Sequence, residues 1–150
     1  MRSRGAMKLF TIGFTKTSAE NFFTLLKVAG VERLVDVRLH NVSQLAGFAK
    51  RDDLRYFLDV ICGIEYVHRP ELAPTEEMLD AYRKQRGGWD AYEQRFSAML
   101  ESRRVETELA PAELDQACLL CSEDQPHHCH RRLVAEYLRR KWTNVEIVHL

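Results

Sequence analysis

The feature that most constrains the fold is an alternation of short apolar runs with longer amphipathic stretches along the 150 residues of the chain. The amphipathic stretches carry apolar residues at helical spacing, whereas the runs have the length and residue types of strands. The five predicted strands are Lys8–Ile12, Arg33–Val37, Ile64–Val67, Ala117–Cys121 and Val145–His149. Strand–helix–strand order is typical of a parallel sheet. We therefore predict a single α/β domain over residues 1–150, with about five mainly parallel strands and helices on both faces.

Local signals indicate where the predicted helices begin and end. Thr17–Glu20 has the T-x-x-E pattern of a capping box. Gly30 and Gly63 follow two amphipathic stretches and suit the left-handed conformation that ends many helices. The run Ala117–Cys121 is apolar throughout, which predicts a central strand covered on both faces. The segment 105–116 gives no clear signal for either structure.

Composition and charge exclude several classes of protein. The 22 Lys and Arg residues balance the 22 Asp and Glu residues, which argues against a surface built wholly for a polyanion. No apolar run is long enough to span a membrane, so we predict no membrane partner. We expect residues 1–6 to be a disordered extension or a cloning remnant, because Met7 is an equally good start. The sequence makes no prediction about the oligomeric state.

The chain contains four cysteines, and their spacing bears on both compartment and chemistry. A chain of this length folds without disulfides, and no export signal is evident, so we predict reduced thiols and a cytoplasmic location. Cys118 and Cys121 are three residues apart in a predicted strand and point to opposite faces, so they could bind one metal ion together only if the strand ended before Cys121. We expect Cys118 to be a core residue. We predict no cofactor, and the alternative is a zinc ion held by Cys121, Cys129 and His130.

Polar side chains gather where the second predicted strand ends. In parallel α/β sheets, ligands bind beyond the carboxyl ends of the strands. Asp36 lies within an apolar strand and needs a partner there, and Arg38 follows on the same face of the extended chain. The pair either presents a guanidinium to an anionic ligand or is a structural ion pair, and the sequence leaves both interpretations open. Thr15 and Ser43, in the loops after the first two strands, are expected to donate hydrogen bonds to the ligand.

The segment after the fourth strand is the richest in reactive side chains. Cys129, His130 and Arg131 are expected in the first turn of a helix, where free N–H groups favour a bound anion, and we predict that His130 and Arg131 contact it. The same field would lower the pKa of Cys129 and make it a candidate nucleophile, with Cys121 as an alternative. Glu123 is the candidate general base. The alternative interpretation is structural: Cys129 packs under the sheet, and Arg131 pairs with Asp36 of the second strand.

The last predicted helix is the most basic stretch of the chain. Its cations are Arg131, Arg132, Arg139, Arg140 and Lys141, against the single acid Glu136. Such a stretch is either an electrostatic contact for a nucleic-acid backbone or an ordinary solvated face.

Four segments resemble motifs of a family known as domain of unknown function 488 (DUF 488). They are TIGFT at 11–15, VDVR with Ser43 and Phe48 within 35–48, GIEYVHRPEL at 63–72 and CLLCSEDQPHHCHR at 118–131. The resemblance runs nearly end to end, and the last motif is the most specific. One departure is the His40-Asn41 pair, which stands where many members have a proline before the serine. The resemblance implies a site built from these segments, and for the family it implies little about the reaction beyond suggestions of cysteine-based enzymatic activity and of DNA repair.

Together these observations predict an enzyme-like domain whose pocket at the strand carboxyl ends binds a phosphate-bearing or other anionic ligand, such as a nucleotide or nucleic acid. In this prediction Asp36 orients Arg38, and Glu123 handles protons. Whether the domain catalyses a reaction is left open by the sequence. The alternatives are a non-enzymatic nucleic-acid-binding module that uses the basic last helix, and a zinc-stabilised structural domain.

Overall fold

Five strands form one parallel sheet in the computed structural model, which describes residues 7–42, 47–84, 88–122 and 129–150. The strands are β1 (Met7–Gly13), β2 (Arg33–Asp36), β3 (Glu65–His68), β4 (Ala117–Cys121) and β5 (Val145–His149). Their spatial order is β3-β2-β4-β1-β5, and every pair is parallel. The central position of β4 follows from its sequence, since a strand buried on both faces has no polar residue to offer to water. The predicted α/β fold is confirmed.

Seven α-helices connect these strands within the described residues. They are α1 (Ala19–Ala29), α2 (Arg51–Phe57), α3 (Glu76–Arg83), α4 (Gly88–Arg103), α5 (Val105–Glu108), α6 (Pro111–Leu114) and α7 (His130–Lys141). α2 continues into a π-helical turn over Leu58–Cys62, and short 3-10 turns cover Gly47–Ala49 and Pro70–Leu72. Across the described ranges, no helix has the length and apolar character needed to cross a membrane.

The helix ends follow the sequence signals, with one correction. Gly30 and Gly63 adopt the left-handed conformation, with φ of 78° and 65°, and end α1 and the π-helical turn. The predicted capping box at Thr17 is wrong, because Ser18 is the N-cap and accepts a hydrogen bond from the backbone N–H of Asn21. The Thr17 hydroxyl accepts from the Asn21 side chain instead. The polar side chain at position 21 therefore moves the start of the helix by one residue.

Two apolar cores lie on opposite faces of the sheet. One core packs Leu9 and Leu119 against α4, α5, α6 and α7, and the other packs Phe10 and Leu120 against α1 and α2. Because successive residues of a strand face opposite sides, Cys118 lies in the second core and Cys121 in the first. This confirms that Cys118 is a buried core residue and that the two cysteines of the C-x-x-C pair face apart.

The strand order creates a crevice between the carboxyl ends of β2 and β4. These two strands are neighbours, yet the chain leaves β2 toward β3 and leaves β4 toward β5, in opposite directions across the sheet. Connections that diverge in this way leave a gap beyond the strand ends, where ligands of α/β sheets bind. The loop after β2 and the amino end of α7 flank this gap.

Candidate ligand-binding site

A buried ion pair lies at the carboxyl end of β2. The Arg38 guanidinium donates from Nε to Oδ1 of Asp36 and from Nη2 to Oδ2, at 2.8 Å each. The backbone N–H of Arg38 donates to Oδ1 at 3.1 Å. Both side chains are almost completely buried, with 0% and 2% exposure. The i, i+2 spacing in extended chain brings the two groups together, and the paired contacts fix the plane of the guanidinium.

Further donors surround the Asp36 carboxylate. The Tyr66 hydroxyl donates to Oδ2 at 2.6 Å, and the Asn41 amide donates to the same oxygen at 3.4 Å and to the tyrosine oxygen at 3.2 Å. Burial by itself raises the pKa of Asp36, but the hydrogen bonds and charge of Arg38 and the Tyr66 hydrogen bond outweigh it, and the net pKa is lowered. The carboxylate is therefore ionised in the folded protein.

The third nitrogen of the Arg38 guanidinium has a different environment. Nη1 is buried, and within the described residues it has no hydrogen-bond partner. The guanidinium lies against the ring of Phe14 at 5.3 Å from the centroid. The carbonyl of Arg38 contacts Nε2 of His68 at 2.9 Å. Because Asp36 and the Phe14 ring hold the guanidinium, the direction in which Nη1 presents its hydrogens is fixed.

Two thiols and an imidazole form a second group, which the carboxyl end of β4 and the start of α7 bring together. Cys121 ends β4, Cys129 is the N-cap of α7 and His130 is its first residue. Nδ1 of His130 lies 3.2 Å from Sγ of Cys121, and Nε2 lies 2.6 Å from the carbonyl oxygen of Val37. Since a carbonyl only accepts, Nε2 carries a proton, and Nδ1 is the ring nitrogen that faces the sulfur.

This group has the composition of a metal site. One donor atom from each of Cys121, Cys129 and His130 lies within 4.8 Å of the others, and all three residues are buried. Such a group could hold a metal ion.

The pKa of Cys129 is raised, which corrects the expectation that the start of the helix would lower it. Burial is the largest cause, and a hydrogen bond and charge from Cys121 add to it. The charges of His130 and Arg131 act in the opposite direction but are outweighed. Removal from water disfavours the thiolate more strongly than the helix dipole favours it. Cys129 is therefore a neutral thiol in the folded chain without a bound cation.

A cavity of about 580 Å³ connects the two groups. Arg38, Cys121, Cys129 and His130 line its inner part, and Ser122 lies beside them. An aromatic wall closes one side, with ring centroids 5.1 to 5.6 Å apart; its members are Tyr82, Trp89 and Tyr92. The exposed side chains of Arg83 and His40 also line the cavity, paired with Asp80 and Glu76.

Several predicted site residues lie elsewhere or outside the described residues. Thr15 donates its hydroxyl and its backbone N–H to the carbonyl of Ser122, at 2.5 and 3.0 Å, and so joins the loop after β1 to the loop after β4. Arg131 is fully buried and donates to Thr11 at 3.4 Å and to Sγ of Cys129 at 3.6 Å, apart from the cavity lining. Asp36 is paired with Arg38 rather than with this arginine. Ser43 and Glu123 lie outside the described residues.

Comparison with known proteins identifies the family. A family model described as domain of unknown function DUF488 matches residues 18–138. The chain belongs to the DUF488 family. A search of the curated proteins and a search of the solved structures each returned no match. The matched range of the DUF488 domain includes every residue of the ion pair, the thiol group and the cavity lining.

The basic surface of α7 is partly neutralised within this DUF488 domain. Arg132 pairs with Glu136 at 3.1 Å and with Glu93 at 3.0 Å, and Lys141 pairs with Glu101 at 2.7 Å. Arg131 is fully buried, and the two remaining cations of the helix, Arg139 and Arg140, are exposed. A nucleic-acid contact through this helix stays a prediction.

Two parts of the site are absent from the sequence-based prediction. Tyr66 reaches Asp36 because β3 pairs with β2, and Asn41 reaches it from the following loop. Trp89 and Tyr92 lie in α4, where their spacing is that of an ordinary core stripe, and Tyr92 is buried, but both residues also line the cavity. The signal for Tyr66 was weak, because one tyrosine in a strand is ordinary and its partner lies 30 positions away.

Proposed function

We propose that this DUF488 domain binds an anionic ligand that carries a phosphate or similar group and an aromatic ring, with nucleotides as the chemical class. The observation that carries the proposal is the orientation of Arg38. Its guanidinium is held rigidly in the cavity lining, and its buried Nη1 donates to none of the described residues. A buried donor without an acceptor is costly, and a phosphate oxygen in the cavity would supply the acceptor.

The choice of phosphate rests on the geometry of the guanidinium. A planar guanidinium fork matches the oxygens of phosphate and carboxylate groups better than an ammonium does. Asp36 neutralises the charge of Arg38 and fixes its orientation. Binding is therefore expected to depend on the direction of the hydrogen bond more than on net attraction. The exposed Arg83, although it is paired with Asp80, would add a screened, weaker attraction at the solvent side of the cavity.

The choice of a ring rests on the aromatic wall. Tyr82, Trp89 and Tyr92 offer ring faces and edges to the same cavity that Arg38 lines. Stacking of a base on an aromatic side chain contributes about 1–3 kcal/mol and tolerates different bases. The cavity volume of about 580 Å³ lies within the range of roughly 300–1,000 Å³ typical of small-molecule sites. This supports a nucleotide rather than an inorganic anion alone.

The proposed ligand site leaves the reaction open. The roles of Asp36 as an orienting residue, of Cys121 or Cys129 as nucleophile, and of Glu123 as general base stay predictions, as do ligand contacts of Thr15, Ser43, His130 and Arg131. None of the four cysteines forms a disulfide, and the cytoplasmic location stays a prediction.

The test is a calorimetric titration of the full chain with inorganic phosphate, a nucleoside, nucleoside monophosphates and a short single-stranded oligonucleotide. Arg38→Lys keeps the charge opposite Asp36 and removes the guanidinium fork. Arg33→Lys is the matched control, since Arg33 begins β2 at the opposite end of the strand and pairs with Glu65. Thermal unfolding of each variant verifies its fold.

We expect the monophosphates to bind more tightly than phosphate or the nucleoside. Loss of one charge-assisted hydrogen bond, about 1.5–3 kcal/mol, corresponds to binding about 10- to 150-fold weaker in Arg38→Lys, and Arg33→Lys should bind as the parent does. Unchanged binding by a folded Arg38→Lys would overturn the proposal. So would oligonucleotide binding that is lost in Arg139→Glu/Arg140→Glu and kept in Arg38→Lys, since that result selects the basic helix.

A further inference from the structure

We infer that Cys121, Cys129 and His130 form a three-ligand site for a thiophilic divalent cation of the zinc class, with the fourth coordination position open to the cavity. Thiolate sulfur and imidazole nitrogen are the donors that zinc prefers in proteins. Two such donors bound tetrahedrally at zinc distances lie about 3.5 Å apart, and Sγ of Cys121 lies 3.2 Å from Nδ1 of His130. A shift of a few tenths of an ångström would therefore admit the ion.

The second ring nitrogen of the histidine already has the kind of partner that a metal ligand requires. The carbonyl of Val37 accepts the Nε2 proton at 2.6 Å, and Nδ1 faces the sulfur of Cys121. Metal-bound histidines usually donate their second ring nitrogen to such a partner, because it fixes both the tautomer and the ring direction. This contact also joins the end of β2 to the start of α7 across the crevice.

The position of Cys129 is a second, independent observation. An N-cap residue usually accepts a hydrogen bond from the first turn of its helix, but the side chain of Cys129 makes no such bond in α7. Its sulfur instead interacts with Cys121 and accepts from Nη1 of Arg131 at 3.6 Å.

The cavity indicates what kind of metal site this would be. The same three residues line the cavity together with Arg38. Closed four-ligand sites are structural, whereas sites with three protein ligands leave a position for water or substrate. An ion here would face the proposed anionic ligand, and this part of the inference rests on the proposed function. When the ion binds, each cysteine releases its thiol proton to solvent, and the histidine binds as neutral imidazole.

The experiment uses the full chain purified under reducing conditions without a histidine tag. Zinc content is measured by elemental analysis, and Co²⁺ replaces zinc for absorption spectroscopy. Cys121→Ser and Cys129→Ser test the ligands. Cys62→Ser, near the surface, and Cys118→Ala, in the opposite core, are matched controls. Circular dichroism verifies the fold of each variant.

We expect about one zinc per chain, as structural and catalytic zinc generally co-purifies, and a cobalt charge-transfer band whose intensity indicates two thiolates. Both ligand variants should lose the metal and both controls should keep it. The inference is overturned by a zinc content below about 0.2 per chain that added metal does not raise, or by a cobalt spectrum of the parent chain without thiolate bands. It is likewise overturned by a Cys121–Cys129 disulfide as the stable form in reducing buffer. The spectrum of the parent chain decides the matter even where a ligand variant fails to fold.

An anion titration separates this inference from the proposed function. Added phosphate or nucleoside monophosphate should shift the visible bands of the cobalt-loaded parent chain. A spectrum that no anion changes would overturn the open coordination position. Metal-free protein that binds nucleotides in an Arg38-dependent manner, and that takes up no metal, would overturn the metal site and leave the proposed function standing. Metal uptake together with a nucleotide affinity that Arg38→Lys leaves unchanged would overturn the proposed function and leave the metal site standing.

Discussion

At the scale of single residues, the buried pair of Asp36 and Arg38 dominates the site. A buried carboxylate without a partner is very unfavourable, and the paired hydrogen bonds from Arg38 compensate for its removal from water. The residue that stabilises the fold is thus also a residue that lines the cavity. Arg38→Lys keeps the charge and therefore tests ligand binding separately from stability. An alanine substitution would change both.

We predict that Arg38→Ala lowers the free energy of unfolding by about 3–5 kcal/mol, because it leaves the Asp36 charge buried and uncompensated. Urea denaturation measures the loss. Arg51→Ala is the control, since Arg51 forms an exposed pair with Asp52, and exposed pairs contribute about 1 kcal/mol or less. Equal losses in the two variants would contradict this account of the buried pair.

The Tyr66 hydroxyl gives a second prediction at this scale, for acid conditions. The pKa of Asp36 is lowered in the folded protein, so its contribution to stability is complete above the ordinary value of 3.8 and is lost as the pH falls through the lower folded value. Removing the hydroxyl in Tyr66→Phe should cost about 1.5–3 kcal/mol near neutral pH. The acid unfolding transition should also move to higher pH.

Acid titration followed by circular dichroism measures the position of that transition. Tyr56→Phe, on the exposed face of α2, should leave both the stability and the transition unchanged. A transition at the same pH in Tyr66→Phe and the parent would show that the tyrosine does not stabilise the ionised carboxylate.

At the scale of secondary structure elements, a polar contact joins β5, β1 and α7. His149 in β5 lies with Nδ1 2.5 Å from the hydroxyl of Thr11 in β1, which also accepts from Nε of Arg131 in α7. Burial lowers the pKa of His149, and the charge of Arg131 lowers it further. The histidine is therefore neutral in the folded chain at neutral pH.

The pH dependence of stability follows from this lowered pKa. Neutral His149 contributes stability that is complete above the ordinary value of 6.5 and is lost as the pH falls through the lower folded value. His149→Asn should remove this decrease in stability with falling pH. Urea midpoints at a series of pH values between neutral and mildly acidic measure it. His40→Asn, at an exposed histidine, should keep it. If the urea midpoint of His149→Asn changed with pH as that of the parent does, the pH dependence would belong to other groups.

The elements also show what the sequence could predict and why. The bounds of β4 and β5 were predicted at the observed residues, because apolar runs with clear ends leave little choice. The start of α1 was misplaced because Ser18 and Thr17 both fit an N-cap, and Asn21 decides between them. The segment 105–116 forms two four-residue helices, α5 and α6, which are too short to produce a helical periodicity.

At the scale of the whole molecule, the topology decides which residues meet. The ends of β2 and β4 adjoin because their connections diverge, so Arg38 and Cys121 line one cavity although 83 positions separate them by residue number. That these segments lie at the strand carboxyl ends followed from the sequence. Strand order, the approach of Tyr66 through β3, and the burial that raises the pKa of Cys129 depend on tertiary packing, which local patterns do not encode.

The central claim is that Arg38 donates from Nη1 to an anionic group bound between the ends of β2 and β4. A crystal structure of the chain with a nucleoside monophosphate tests it most directly. The account predicts a phosphate oxygen within hydrogen-bond distance of Nη1 and the base against Tyr82, Trp89 or Tyr92. Phosphate bound instead to Arg139 and Arg140 on α7, with the cavity filled by the chain's own side chains, would contradict it.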